Sequence, residues 1–320
     1  MILGGDLGGT KTLLALADFR DGQLQIAFER RYASQDYPTF DALLEDFLAD
    51  APPIRAACFG VAGPTDGLQV KLTYLPWEIS TAHLASRFKL RDVLLANDFA
   101  AAANGLPLLA RHQLKTLQAG QPVNMAPRVI LGAGTGLGVA GMVWAGNRYC
   151  VIPGEGGHIG LAPQTPEQAE LWRWLYARNG RVTTEDVVCG AGLARIYAFL
   201  AGRPHPDDDP GAPHTPAEIG GRALNNSDPL AQQAVELWFS VYGAFAGDLA
   251  IQWLAYGGVY LAGGMAAKLM PHIGYGAFME AFNAKREHRA VAEKMPIHLV
   301  TDERLGLLGA LALADQRETD

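Results

Sequence analysis

Cysteine is scarce in this chain of 320 residues: there are 3, Cys58, Cys150 and Cys189, far apart in sequence. That excludes an even-numbered disulfide framework and any paired-cysteine zinc site, and predicts reduced, mostly buried thiols. Charge of one sign is also in short supply. Lysine and arginine total 26 against 33 aspartates and glutamates, and the net charge of -7 carries no basic patch for a polyanion, so no nucleic-acid partner is expected. A hydrophobic fraction of 49% excludes a disordered chain. The first residues are strand-like, without a basic stretch leading into an apolar one and a small-residue cleavage site, so a cytoplasmic protein is expected. Unbroken apolar runs are missing too. The uncharged segments 129–146 and 249–267 approach the roughly 20 residues a bilayer demands. Glycines interrupt both, at Gly132, Gly134, Gly136, Gly138 and Gly141 in the first and at Gly257, Gly258, Gly263 and Gly264 in the second. Buried strands and turns are predicted there, and no membrane.

What the sequence does have is glycine, placed in turns. GGDLGGTKT, residues 4–12, nearly spells a P-loop counted from Gly5, but Thr10 stands where the pattern needs its second glycine. Either the P-loop is degenerate or the cradle is of another kind. A P-loop lysine opens a helix, whereas Lys11 is followed by the short apolar run 12–17 and then Asp18, Asp21 and Gly22, which suits a second strand of a hairpin. VILGAGTGLGVAGMVWAG, residues 129–146, repeats the design as strand, glycine turn and strand. Two such hairpins about 125 residues apart predict a duplicated fold that holds a nucleotide's phosphates between the copies.

Elsewhere strands alternate with helices, which predicts an α/β protein. Residues 56–61 read as a strand ending at Ala62-Gly63-Pro64-Thr65, and 93–96 as a strand running into the helix-like FAAAANGL. Three helices are predicted in the middle third: PEQAELWRWLYARNG, closed by Asn179-Gly180; AGLARIYAFLAG, closed by Gly202; and a long apolar segment over 229–255. Between the last two, RPHPDDDPGAPHTP carries Pro204, Pro206, Pro210, Pro213 and Pro216 and is expected to be a solvated loop, with His205 and Asp207 to Asp209 as surface polar groups rather than a cation site.

Several polar side chains sit where chemistry is possible. Asn97 and Asp98 follow a strand and begin a helix, the place where α/β sheets bind ligands. Helix capping explains them equally well, although a carboxylate favoured by the helix dipole also suits a group that accepts a proton from a hydroxyl. In PGEGGHIG, Glu155 and His158 stand three residues apart among glycines, which offers hydroxyl acceptors and a donor close to backbone. No second histidine completes a metal spacing. Glu185, just after Thr183 and Thr184, reads first as a carboxylate in the opening turn of a helix. VYLAGGM, residues 259–265, reads as strand, double glycine and helix, a turn that admits a ring or phosphate against backbone or simply connects tightly.

Together GDLGGTKT, GVAGPTDG, LLANDFAA, LGAGTGLGVA, PGEGGHIG, TTEDVVCGAGL and GGVYLAGGMAAK, in this order and spacing along almost the whole chain, resemble the bacterial ATP-dependent glucokinase family. The resemblance implies the two-lobed actin-like ATPase (ribonuclease H-like) fold, α/β with a duplicated mixed sheet and an active-site cleft between lobes. It implies a small domain of residues 1–108 plus 299–320, a large domain of 109–298, and a cytoplasmic homodimer. It implies phosphorylation of D-glucose at the 6-hydroxyl by ATP with Mg²⁺. Asp98 then matches the general base, and Asn97, Glu155, His158 and Glu185 match sugar-hydroxyl ligands. Gly8, Gly9 and Thr10 match the first phosphate hairpin, Gly134, Thr135 and Gly136 the second, and Gly263 with Gly264 the adenosine-side turn. Asp6 falls where the first strand ends near the magnesium ion. Tyr74 stands where the family commonly has asparagine, so no site contact is assigned there, and Lys11 is left without a role. A kinase for mannose or an amino sugar, or a non-catalytic ATP-binding sensor, are the other readings.

Overall fold

The computed structural model describes every residue except Pro64, Thr73, Tyr74, 209–213 and Asp320, and every described side chain except those of 317–319. Pro64 of the GVAGPTDG segment, Tyr74, and Asp209, Pro210 and Pro213 of the proline-rich stretch therefore lie outside the described residues. The chain divides into two units, Met1–Gln113 with Val151–Pro153 and Asp302–Asp320, and Leu114–Cys150 with Gly154–Thr301.

The first unit is built on strands β1 (Ile2–Leu7), β2 (Lys11–Arg20), β3 (Gln23–Ala33) and β4 (Ala56–Val61), a small pair β5 (Gln69–Lys71) and β6 (Glu78–Ser80), and β7 (Asp92–Asn97). The main sheet runs β3-β2-β1-β4-β7. β1 is antiparallel to β2 and parallel to β4, which is parallel to β7. One face buries Phe40, Leu43, Phe59 and Trp77, and the other packs Ile2, Ala15 and Cys58 under Leu307, Ala310 and Leu311 of the C-terminal helix Leu305–Thr319. With both faces covered, β1 and β4 are apolar at nearly every position rather than alternating. Gly4 and Gly5 belong to this packing, because a Cβ at Gly4 would lie 2.6 Å from Leu311 Cγ and one at Gly5 2.6 Å from Phe59 Cδ1. Gly5 is thus a packing glycine inside a strand, and the P-loop reading has no first glycine.

The second unit carries β8 (Leu114–Gln118), β9 (Arg128–Ala133), β10 (Leu137–Ala145), β11 (Arg148–Gly154), β12 (Gly258–Ala262) and β13 (Ile297–Val300), in the order β11-β10-β9-β12-β13-β8. β9 and β10 form an antiparallel hairpin, and β9, β12 and β13 are parallel. This repeats the pattern of β2, β1, β4 and β7, so the predicted duplication holds at the level of sheet topology.

Helix ends follow the expected chemistry. Thr165 caps the Pro166–Asn179 helix, which stops on Gly180 at φ 66°. Asp228 caps Pro229–Trp253, which stops on Leu254 in the left-handed region rather than continuing to 255. By length and composition that helix could cross a membrane, but 78% of its most apolar window is buried within the protein. Its Trp238 indole donates to the Cys189 carbonyl at 3.3 Å and its Tyr242 hydroxyl to the Leu131 carbonyl at 3.3 Å, as in the central helix of a core.

The proline-rich stretch departs from its solvated reading at both described ends. Pro216 is the first residue of the Pro216–Leu224 helix, where Thr215 and Glu218 form a reciprocal capping box. His205 is only 6% exposed and its ring stacks on Trp174 at 5.3 Å. Proline at a helix start and an aromatic partner 31 residues away produce these outcomes, and composition alone shows neither.

Candidate active site

In the first unit the glycine turn between β1 and β2 is a hairpin, as expected. Gly8 N–H donates to the Lys11 carbonyl at 3.0 Å, and Ser34 fastens the tip from below, its hydroxyl donating to Gly8 O at 2.7 Å and its N–H to Thr10 O at 3.1 Å. Gly8, Gly9 and Thr10 are left partly or fully exposed at the tip. Lys11 does not point into a phosphate cradle of this unit. Its Nζ pairs with Glu303 at 2.9 Å, and Glu303 also takes Arg31 at 3.3 Å.

Asp6, next to last in β1, lies against the start of the C-terminal helix, where a Cβ on Gly306 would lie 2.7 Å from its Oδ2. Burial pushes its carboxyl up to about 6, and the nearby Lys11 offsets part of that rise. A carboxylate so short of solvation is a good partner for a cation. Among the described residues no cluster of three or more metal-ligating side chains exists.

Asn97 and Asp98 sit where β7 passes into the Asp98–Gly105 helix, beside the carboxyl end of β4, with Val61 in register with Asn97. The capping expectation is met: Asn97 Oδ1 accepts from Phe99 N and Ala100 N, both at 3.0 Å, while Nδ2 donates to Gly63 O at 3.3 Å. Asp98 Oδ1 accepts from Phe99 N at 2.9 Å. That helix is held by unusually close backbone contact. Gly105 meets the Leu305 carbonyl and Gly309 meets the Ala101 carbonyl, with no room for a Cβ at either glycine.

The second unit gathers the remaining expected residues on one hydrogen-bonded frame. Glu155 opens a single 3-10 turn, Gly156–His158, and His158 N–H donates to Glu155 O at 3.0 Å. Both side chains are exposed. The turn packs on β10, since a Cβ on Gly156 would lie 2.8 Å from Val139 Cβ and one on Gly157 would overlap the Leu137 carbonyl. Segment 157–161 then runs beside 182–185, with Glu185 N donating to Gly157 O at 2.9 Å, Thr184 N to Ile159 O at 2.9 Å and Leu161 N to Val182 O at 3.0 Å.

Glu185 is not in a helix, because the next helix, Gly190–Leu200, starts five residues beyond it and is capped by Cys189. The first-turn reading of Glu185 is therefore replaced. Its carboxylate reaches the second glycine hairpin, where Oε2 accepts from Leu137 N at 2.7 Å. Gly190 N donates to Gly134 O at 2.9 Å, a second tie to the same tip. Gly263, at φ 84°, abuts the Ala133 carbonyl just before that tip, so Gly263, Gly264, Gly134, Thr135 and Gly136 lie around the carboxyl ends of β9 and β12.

Two arginines support this frame that no sequence pattern singled out. Arg181 donates to the His158 carbonyl at 3.1 Å, and Arg195 to the Asp186 carbonyl at 3.0 Å. Asp186 in turn accepts from the N–H and hydroxyl of Thr183 at 2.8 and 2.9 Å. Their roles depend on which carbonyls fold back to meet them.

The chain is similar to known proteins over nearly its full length. The sequence profile of the family described as Glucokinase matches residues 3–317. The curated glucokinase of Nostoc sp. (strain PCC 7120) is 37% identical over 98% of this chain and 98% of its own length. The solved structure of a glucokinase from an Antarctic psychrotroph superposes with a TM-score of 0.85 at 30% identity, covering 98% of each chain. The glucokinase of Balamuthia mandrillaris in complex with glucose shares the fold, with a TM-score of 0.81 at 23% identity, over 98% of this chain and 93% of its own.

Proposed function

The chain belongs to the glucokinase family and is an ATP-dependent sugar kinase, and from that premise we propose how its residues divide the work of moving the γ-phosphoryl group of ATP to the 6-hydroxyl of D-glucose. Family membership disposes of the sensor reading. The observation that carries the site assignment is the frame of the second unit, in which one set of hydrogen bonds, backbone and carboxylate, binds the Glu155–His158 turn, Glu185 and the Gly134–Gly136 tip to one another. A sugar site and a phosphate site built on common supports are what a sugar kinase requires.

In this reading Asp98 is the base. The O6–phosphorus bond forms as the bond from phosphorus to the β,γ-bridging oxygen breaks, ADP leaves, and the O6 proton passes to the Asp98 carboxylate. Asn97, Glu155, His158 and Glu185 hold sugar hydroxyls. Asn97 reaches the sugar through Nδ2, since Oδ1 is taken by the helix it caps. Backbone N–H groups of Gly8, Gly9 and Thr10 and of Gly134, Thr135 and Gly136 hold the phosphates, and Gly263 with Gly264 leaves room for the nucleoside. Such transfers ask little covalent chemistry of the protein, and alignment with charge stabilisation supplies most of the rate. Asp6 would hold Mg²⁺ through its water shell, and the ion would supply neutralising charge to the phosphates. A cytoplasmic homodimer is the assembly family likeness favours.

The sugar is tested by measuring ADP release, in a coupled assay with ATP and Mg²⁺, across glucose, mannose, glucosamine and N-acetylmannosamine. The highest kcat/KM is expected for glucose. A higher value for another hexose would move the assignment to that sugar, since hydroxyl ligands are shared among hexoses and discrimination rests on pocket shape.

A further inference from the structure

The contact between Glu185 and the hairpin tip is more than support. A carboxylate has acceptor positions on both oxygens, and the two oxygens of Glu185 are in different situations. Oε2 is engaged by Leu137 N–H at 2.7 Å, a short charge-assisted bond. Oε1 carries no hydrogen bond among the described residues. The tip is shaped for this carboxylate. A Cβ on Gly136 would lie 2.7 Å from Glu185 Oε2, 3.3 Å from its Cδ and 3.7 Å from Oε1, and the backbone of Gly136 is outside the positive-φ region, so an L-residue could adopt it. Glycine at 136 leaves the carboxylate end of Glu185 the space it occupies. Gly134, on the other limb of the tip, has nothing within 4 Å of the same position and also lies outside the positive-φ region.

We propose that Glu185 is a positioning residue for the nucleotide as well as a ligand of the sugar: one oxygen fixes the phosphate hairpin through Leu137 N–H while the other takes a hydroxyl of the hexose, so that each substrate strengthens the binding of the other. The proposal rests on the reading above that Glu185 contacts the sugar and that the 134–136 tip contacts phosphate. Its physical basis is that a carboxylate held by a hydroxyl on Oε1 is also held in place for Leu137, and a tip held by phosphate keeps Leu137 N–H aimed at Oε2. Linkage then makes the effect mutual and equal in the two directions.

The test uses the full chain and isothermal titration of three mixtures: glucose alone, the magnesium complex of AMPPNP alone, and AMPPNP with saturating glucose. Wild type should bind each ligand more tightly in the presence of the other. Glu185→Ala should bind AMPPNP about tenfold or more weakly without any glucose present, the loss expected for one charge-assisted hydrogen bond. It should also lose the mutual enhancement. Glu185→Gln keeps a carbonyl oxygen for Leu137 N–H and should restore AMPPNP affinity to near wild type while glucose binding stays weakened, an outcome that general misfolding does not produce. Gly136→Ala pushes only the carboxylate end of a flexible side chain and should weaken glucose binding in the absence of nucleotide, whereas Gly134→Ala should leave glucose binding alone unchanged. AMPPNP affinity unchanged in Glu185→Ala, or glucose affinity unchanged in Gly136→Ala, overturns the proposal and leaves the sugar-ligand reading standing. Unchanged glucose affinity in Glu185→Ala overturns that reading and the proposal with it. Should Glu185→Ala not fold, Gly136→Ala decides alone.

Discussion

Gly309 lies directly on the carbonyl of Ala101, backbone against backbone. Through that contact the C-terminal helix sets the position of the helix that Asp98 begins, and hence the position of the proposed base. Gly309→Val should destabilise the fold by about 1–3 kcal/mol, the usual cost of overpacking. It should also lower kcat by about a hundredfold, since a displacement near 1 Å at the reacting groups is enough for that. Thermal melts paired with steady-state kinetics check both. A folded variant with wild-type kcat would show that Asp98 is placed by other contacts.

Asp98→Asn removes the proton acceptor and keeps a side-chain oxygen for Phe99 N–H. Turnover is expected to fall by about 10²–10⁴, the range typical for loss of a general base, with glucose binding retained by titration. Near-normal turnover would remove Asp98 from the role.

Lys11 sits in a near-P-loop sequence but pairs with Glu303, with side-chain exposures of 40% and 55% for the two partners. An exposed pair of this kind contributes less than about 1 kcal/mol. Lys11→Met should therefore leave kcat and the KM for ATP within about threefold of wild type, since a few tenths of a kcal/mol is all that such a pair transmits. A loss of orders of magnitude in either constant would return Lys11 to the phosphates.

His205 makes the fold sensitive to acid. Burial, before any effect of neighbouring charges, holds its imidazole below the ordinary 6.5; Asp207 and Asp208 pull the other way, and Arg178 and Arg195 add to the lowering. The neutral ring is favoured by folding, so its stabilising effect is complete above 6.5 and is lost as pH falls through the lower folded value. His205→Phe keeps a ring on Trp174 without a titrating group. Melting temperature should fall less steeply from pH 7 to pH 5 in this variant than in wild type. Some slope should persist, because burial lowers His298 in the same direction. Parallel slopes for the two proteins would place the acid sensitivity elsewhere.

Local pattern made the skeleton of this molecule legible. Both glycine hairpins, the strand ending at Asn97 and the long helix beginning at Pro229 were read correctly because each is specified by neighbours a few residues apart. What escaped depends on distant partners. Nothing near Glu185 announces Leu137, 48 residues away, and nothing near Lys11 announces Glu303, 292 residues away. Gly4, Gly105 and Gly309 look like flexible points in the sequence and turn out to be places where strand and helix, or two helices, approach too closely for a side chain. His205 was misread because proline and aspartate around it outweighed a single aromatic partner at Trp174. Tertiary contact decides such cases, and composition has no access to it.

The C-terminal helix has one more consequence, for the order of events at the ribosome. Residues 305–316 close one face of a sheet whose central strand is Ile2–Leu7, while the second unit is complete by Thr301. Vectorial synthesis usually lets the N-terminal part of a protein fold first. Here the earliest strands must wait, one apolar face uncovered, until residues 305–316 have been made, and the later-made unit is the first able to finish.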